Sequence, residues 1–151
     1  MPDYPAEHRL RIGRRSETGR IYLITTVTEH RWPVFRNLFL GRLLVHTLKE
    51  NQRNATTLAY VVMPDHLHWL MQLDHRQPLS TVMSNIKSNS ARCINQQLSR
   101  TGRLWQPGFH DHALRREEDL RNTARYVIAN PLRAGLVSHI GDYPLWDAAW
   151  L

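Results

Sequence analysis

The chain has 151 residues, enough for one domain with a sizeable core, and its 42% apolar content excludes a disordered polypeptide. Twenty basic residues stand against 13 acidic ones, a net charge of +7; 18 of the 20 are arginines, Lys49 and Lys87 being the two lysines. Guanidinium forks bind phosphate bidentately and stack on flat rings, so the balance excludes a generic Lys/Glu surface as the whole account and points towards nucleic acid, beside whatever share a GC-rich genome contributes.

Residues 1–19, with Pro2, Pro5, Gly13 and Gly19, read as a loose basic arm. The β-branched and aromatic run 20–28 predicts a first strand. After a turn through Glu29–Pro33, Phe35, Leu38, Phe39, Leu43 and Val45 recur at helical spacing and predict a helix over 34–50, followed by a polar loop over 51–56. Pro64 and Asp65 divide the next apolar stretch into strands 57–63 and 66–73. In the second, Leu67, Trp69, Met71 and Leu73 alternate with His66, His68, Leu70 and Gln72, so the first set faces a core and two histidines share the opposite face.

A second helix is predicted over 78–100, its inner stripe being Leu79, Val82, Met83, Ile86, Ser90, Cys93, Ile94 and Gln97, with Thr101–Gly102 as its stop. A strand is expected near Phe109–Leu114. Glu117, Glu118 and Asp119 suit the N-terminal end of a third helix carrying Leu120, Ala124 and Val127, which ends near Asn130 because Pro131 disfavours helical geometry before it. Residues 132–151 read as a tail. The order β-α-β-β-α-β plus a helix is a split βαβ arrangement of the α+β class, an antiparallel sheet with two helices on one face. The histidine face is then the one that meets the extra helix.

The lone Cys93 excludes an intramolecular disulfide and a multi-thiolate zinc site, and suits a reducing cytoplasm. The N-terminus has no apolar h-region, so no secretory signal is expected, and no apolar run approaches the ~20 residues of a membrane span.

Several residues have the chemistry of a site. His66 and His68, two apart on a strand, point the same way and have the spacing of two imidazoles on one divalent ion, although such pairs are more often merely hydrogen-bonded. Tyr126 and Asn130, four apart on the last helix, project from one face; the amide carbonyl suits magnesium or manganese, and the phenol is a nucleophile for a polarised phosphate. His110 and His112 offer the same spacing as the first pair. Pro64–Asp65 ahead of the first pair and Leu67 within it do not discriminate between the two. Three functions stay open on the residues alone: metal-assisted phosphoryl transfer through a phosphotyrosine, a non-catalytic DNA- or RNA-binding module on the same fold, and a metal-dependent phosphohydrolase.

The segment VVMPDHLHWLMQL resembles the His-hydrophobic-His segment of single-tyrosine HUH transposases, and LWQPGFHDHALRREEDLRNTARYVIANPLRAGLV resembles the C-terminal half of the REP-associated tyrosine transposases. The likeness covers roughly residues 20–143. It implies a ferredoxin-like fold with Tyr126 on the additional C-terminal helix, Tyr126 as nucleophile, and His66, His68 and Asn130 as ligands of Mg2+ or Mn2+, with His110 and His112 the less favoured pair. It also implies nicking and joining of single-stranded DNA at REP-type hairpins through a 5′-phosphotyrosine, reading of a tetranucleotide beside the hairpin foot, and a monomer in preference to a dimer, at the nucleoid. The family often carries a Tyr-Pro-x-Ser-Ser-like stretch near its C-terminus, where this chain has Tyr143-Pro144-Leu145-Trp146-Asp147. Candidate DNA contacts are Arg11, Arg14, Arg15, Arg20, Lys87, Arg92, Arg115 and Arg116, with Trp105 or Phe109 available to stack on a base, although core packing is the commoner role of a tryptophan in this context.

Overall fold

A computed structural model describes residues 19–74, 77–115 and 117–149. The basic arm with Arg11, Arg14 and Arg15 lies outside the described residues, as does Arg116. The elements in chain order are β1 (Ile21–Val27), 3-10 turns at Glu29–Arg31 and Val34–Arg36, α1 (Leu38–Glu50), β2 (Ala55–Met63), β3 (His66–Leu73), α2 (Leu79–Gln97), β4 (His110–Leu114), α3 (Glu117–Ile128), α4 (Asn130–Arg133), a 3-10 turn at Ile140–Asp142 and β5 (Trp146–Ala148). The strands form one sheet in the order β4-β1-β3-β2-β5, each pair of neighbours antiparallel. With β3 inserted between β1 and β2, this is the expected split βαβ core, ferredoxin-like and α+β.

The period-2 alternation of β3 sorts two cores onto the two faces of the sheet. Leu67, Trp69, Met71 and Leu73 are buried with Tyr22 and Ile24 of β1, Leu40, Leu44 and Leu48 of α1, and Val82, Met83 and Ile86 of α2. The indole N–H of fully buried Trp69 donates to the Thr57 hydroxyl at 2.9 Å, so this large apolar side chain carries no unpaired donor. On the other face Leu70, Ala59, Val61, Met63 and Leu114 pack against Leu120, Ala124 and Val127 of α3. The extra helix therefore covers the histidine face, as the alternation predicts.

The boundaries differ from the sequence expectation for local reasons. Helix α1 starts at Leu38 and not at 34, because Asn37 caps it by accepting the Leu40 N–H at 3.2 Å, while Val34 and Phe35 are buried in a 3-10 turn. Helix α2 ends at Gln97, and Ser99 then takes a left-handed φ of 50°. Its stripe holds through Ile94, but Cys93 is half-buried and Gln97 exposed where the helix runs past the core. Pro131 does more than stop a helix: it sits in the first turn of the short α4, two residues after Ala129, which keeps αR geometry.

The largest correction concerns the tail. Its segment 146–148 is a fifth strand on the edge of β2. The carbonyl of buried Leu145 accepts from the Val62 N–H at 2.9 Å, the Tyr143 hydroxyl donates to the Val62 carbonyl, and the Leu145 side chain occupies the space a Cβ at Gly41 would need. Gly41→Val is expected to displace Leu145, destabilise the fold by about 1–3 kcal/mol and make the segment after residue 142 sensitive to limited proteolysis; an unchanged protease pattern and urea midpoint would contradict the notch.

Candidate active site

The site starts at the β2–β3 turn. Pro64 interrupts the ladder, and both turn carbonyls are used: Pro64 accepts from the Phe35 N–H at 3.0 Å, and Asp65 from the Thr28 N–H at 3.0 Å and the Thr28 hydroxyl at 3.1 Å. This fixes Asp65, whose Oδ1 lies 2.7 Å from His66 Nδ1 while its Oδ2 lies 3.4 Å from Arg31 Nε. Arg31 and His30 hold left-handed φ values of 53° and 57° in the neighbouring turn, a conformation that costs non-glycine residues on the order of 1 kcal/mol each. The sequence reading gave Asp65 no weight; its adjacency to His66 was the available signal.

His68, two residues on, faces the same way. Its Nδ1 is 2.8 Å from the Thr25 hydroxyl, and its ring meets that of His66 edge-on at 4.8 Å between centroids. Thr25 stands opposite His68 in the β1–β3 register, a relation visible only once the strands are paired. The Tyr126 ring lies 6.3 Å from that of His68. Tyr126 follows the buried Ala124 and precedes the buried Val127, so it stands at the border of the packed stripe of α3 and is 51% exposed.

Asn130 is shaped by the proline after it. Pro131 has no N–H to offer the Val127 carbonyl, and Asn130 Nδ2 donates there at 3.1 Å and to the Tyr126 carbonyl at 3.2 Å. Two carbonyl acceptors require the amide nitrogen on that side, so Oδ1 is turned away from them. Arg133, which sequence reasoning missed, donates to the Tyr126 carbonyl at 2.9 Å, and its guanidinium carbon sits 4.1 Å from the Tyr126 ring centroid. Its position seven residues after Tyr126, two helical turns on, was the signal.

Burial, the neighbouring His66 ring and the Arg133 charge together lower the His68 pKa from 6.5 to about 4. The imidazole is therefore neutral and available as a ligand at physiological pH. Each histidine spends Nδ1 on a protein oxygen and leaves Nε2 unengaged by the described residues, the usual arrangement of metal-ligating imidazoles, with Asp65 as an orienting carboxylate behind His66. Among the described residues no three His, Cys, Asp or Glu side chains form a metal cluster; the neutral Oδ1 of Asn130 has the chemistry of a third donor beside the two imidazoles. The donor set fits a divalent cation.

The same shift has a stability consequence. Between about 4 and 6.5 the unfolded chain binds the His68 proton and the folded chain does not. The contribution is complete above the unfolded pKa and is lost as pH falls through the folded one, roughly 3 kcal/mol in all. Urea unfolding of the metal-free protein at about pH 7 and about pH 4.5 should show this loss, and His68→Gln should flatten it; equal pH slopes for the two proteins would contradict the burial of His68.

His110 and His112 stand on the same sheet face but one strand further away, opposite Thr25 and Leu23 of β1, with β1 between them and His68. Of the candidate DNA contacts, Lys87 is largely consumed within the protein: its ammonium donates to the Gln106 and Gly108 carbonyls at 2.7 and 2.6 Å, pinning that loop, and burial together with the Arg103 charge lowers its pKa. Arg92 and Arg115 are exposed, Arg92 donating to Asn89 Oδ1 at 2.7 Å, and Arg20 is half-buried. Trp105 belongs to the core and donates to the buried Ser90 hydroxyl at 2.9 Å, which removes it as a base-stacking surface; Phe109 is half-buried. None of the described helices is long and apolar enough to cross a membrane.

Residues 18–130 match the family described as "Transposase IS200 like". The chain is similar to a protein of Haemophilus influenzae described as a REP-associated tyrosine transposase, with 31% identity over 98 residues, covering 58% of this chain and 56% of that protein. It is likewise similar to the REP-associated tyrosine transposase of Escherichia coli K12, with 30% identity over 87 residues, covering 57% and 50% of the two. The matched stretch thus spans about half the length of these curated relatives. Among solved structures, a REP-associated tyrosine transposase bound to a REP hairpin superposes with a TM-score of 0.73 at 24% identity, over 88% of this chain and 79% of that one. A crystal structure described as a transposase of Deinococcus radiodurans gives 0.53 at 22% identity, over 77% and 94%.

Proposed function

The chain belongs to the IS200-like transposase family, and from that premise we propose that it is a metal-dependent endonuclease and strand transferase of single-stranded DNA with Tyr126 as its nucleophile. The observation that carries this reading is the meeting of Tyr126 and His68, whose rings lie 6.3 Å apart although 58 positions separate them in the chain. The substrate proposed is a REP-type hairpin, the ligand of the solved structure with this fold.

Each residue has a role that follows from its surroundings. His66, His68 and Asn130 would hold Mg2+ or Mn2+, which when bound would withdraw charge from the scissile phosphate. Thr25 and Asp65 keep both imidazoles turned with Nε2 towards the site. The Tyr126 oxygen attacks phosphorus, the bond to the 3′-oxygen breaks, and the phenolic proton ends on that oxygen as the free 3′-OH. One phosphodiester has been exchanged for another, so the 5′-phosphotyrosine needs no water and a second strand's 3′-OH can reverse the step. The site is built within one chain, which suits a monomer acting in the cytoplasm at the nucleoid. Arg20, Arg92 and Arg115, with Arg11, Arg14, Arg15 and Arg116, are the proposed phosphate contacts that guide the strand; Lys87 has at most one donor left to join them. The test is covalent trapping: a labelled single-stranded REP hairpin should stay attached to denatured protein only when magnesium or manganese is present. Metal-dependent hydrolysis with no attached DNA would overturn the mechanism.

A further inference from the structure

We propose that Arg133 is a positioning residue that clamps the Tyr126 ring and presents its remaining donors to the phosphate under attack; this rests on the Tyr126 reading above. The clamp has two points. The guanidinium carbon sits over the ring, 4.1 Å from its centroid, and one terminal nitrogen donates to the Tyr126 carbonyl at 2.9 Å. Both the side chain and the backbone of one residue are thus held by a single planar group, which a lysine ammonium cannot do.

The fold explains how a residue in another helix reaches back. Ala129 keeps αR geometry, with φ of −82° and ψ of −5°, so the helical course continues from α3 into α4. Residues 126, 130 and 133 then share one line of the surface, and Asn130 and Arg133 both bond the Tyr126 carbonyl. An exposed tyrosine at a helix end otherwise samples several staggered rotamers. Stacking removes that freedom before any substrate arrives.

The guanidinium also has chemistry to spare. It carries five N–H donors and spends one of them on the described residues. Those left over are on an exposed side chain beside the phenol and the His68 ring. A phosphate close enough for Tyr126 to attack meets a fixed positive charge, and the extra negative charge of the five-coordinate phosphorus strengthens that contact in the transition state.

The test measures adduct formation at saturating single-stranded REP hairpin with the full chain and magnesium, together with hairpin affinity. Arg133→Ala should slow the adduct-forming step by about 100-fold with little change in affinity, and Arg133→Lys should recover part of that loss. A methylphosphonate at the scissile position removes the phosphate charge, and on it the ratio of wild-type to Arg133→Ala rates should fall to the share that the ring clamp alone contributes. A purely structural role predicts the same ratio on both substrates, and that result would overturn the proposal. So would a reactive wild type beside an equally fast Arg133→Ala variant. A wild type that forms no adduct on the charged substrate defeats the Tyr126 reading itself and takes this inference with it.

Discussion

Tyr126→Phe is expected to reduce covalent capture of a single-stranded hairpin to background while leaving hairpin affinity and fold intact. The substitution deletes one oxygen from a ring that is 51% exposed, and no hydrogen bond to that hydroxyl is formed by the described residues. A surface change of this kind shifts stability by no more than about 0.5 kcal/mol. The Arg133 stack and the His68 contact involve the ring and survive in phenylalanine. The measurement is a denaturing gel for attached DNA beside a gel shift for binding. Attached DNA in the variant would transfer the nucleophile to another residue.

The histidine side of the site predicts a graded series. His68→Ala removes a neutral imidazole that already faces the phenol, and metal-dependent adduct formation should fall to background. Asp65→Ala leaves both imidazoles but frees His66 to rotate, since the 2.7 Å contact to Nδ1 is what orients it; a loss of about 10–100-fold in metal affinity or activity is expected, relieved in part by excess manganese. His110→Ala should remain near the wild-type rate, because β1 stands between β4 and the phenol-bearing site. Isothermal titration with manganese and the adduct assay read the series. An inverted order, with His110 essential and His68 dispensable, would move the metal to the β4 pair.

Much of this arrangement is legible in the sequence because it is periodic. The alternation Leu67-His68-Trp69 states both that a core lies on one face and that the histidines lie on the other, and Leu120, Ala124 and Val127 announce the helix that covers them. What the sequence does not show is what depends on register. Thr25 acquires its role from standing opposite His68 across two strands, and nothing in the run of β-branched residues around it marks that threonine. The fifth strand is equally hidden, since three residues that follow a 3-10 turn and Pro144 carry no alternation to read. Trp105 is in the core, the commoner place for such a tryptophan, but its indole partner, Ser90 fifteen positions away, is not marked by any spacing. For Asn130 the spacing from Tyr126 suggests the amide oxygen as a candidate donor, but not that Nδ2 caps the Tyr126 and Val127 carbonyls and so turns that oxygen away from them.

The sheet that separates the two cores also divides the molecule thermodynamically. The face under α1 and α2 is filled by the larger cluster, with Trp69, Leu67, Met71, Met83 and Ile86, whereas α3 is held by a smaller one in which Ala59, Ala124 and Ala148 are interspersed among Met63, Leu70, Leu114, Leu120 and Val127. Amide hydrogen exchange should therefore open in stages, with α3 and α4 exchanging through a low-energy partial unfolding and the β1–β3 ladder only on global unfolding. Tyr126, the proposed nucleophile, would then ride on the element that opens first, and His66 and His68 on a strand that opens last. Substitutions beneath α1 and α2 should then change global stability and leave the exchange of α3 almost unaltered.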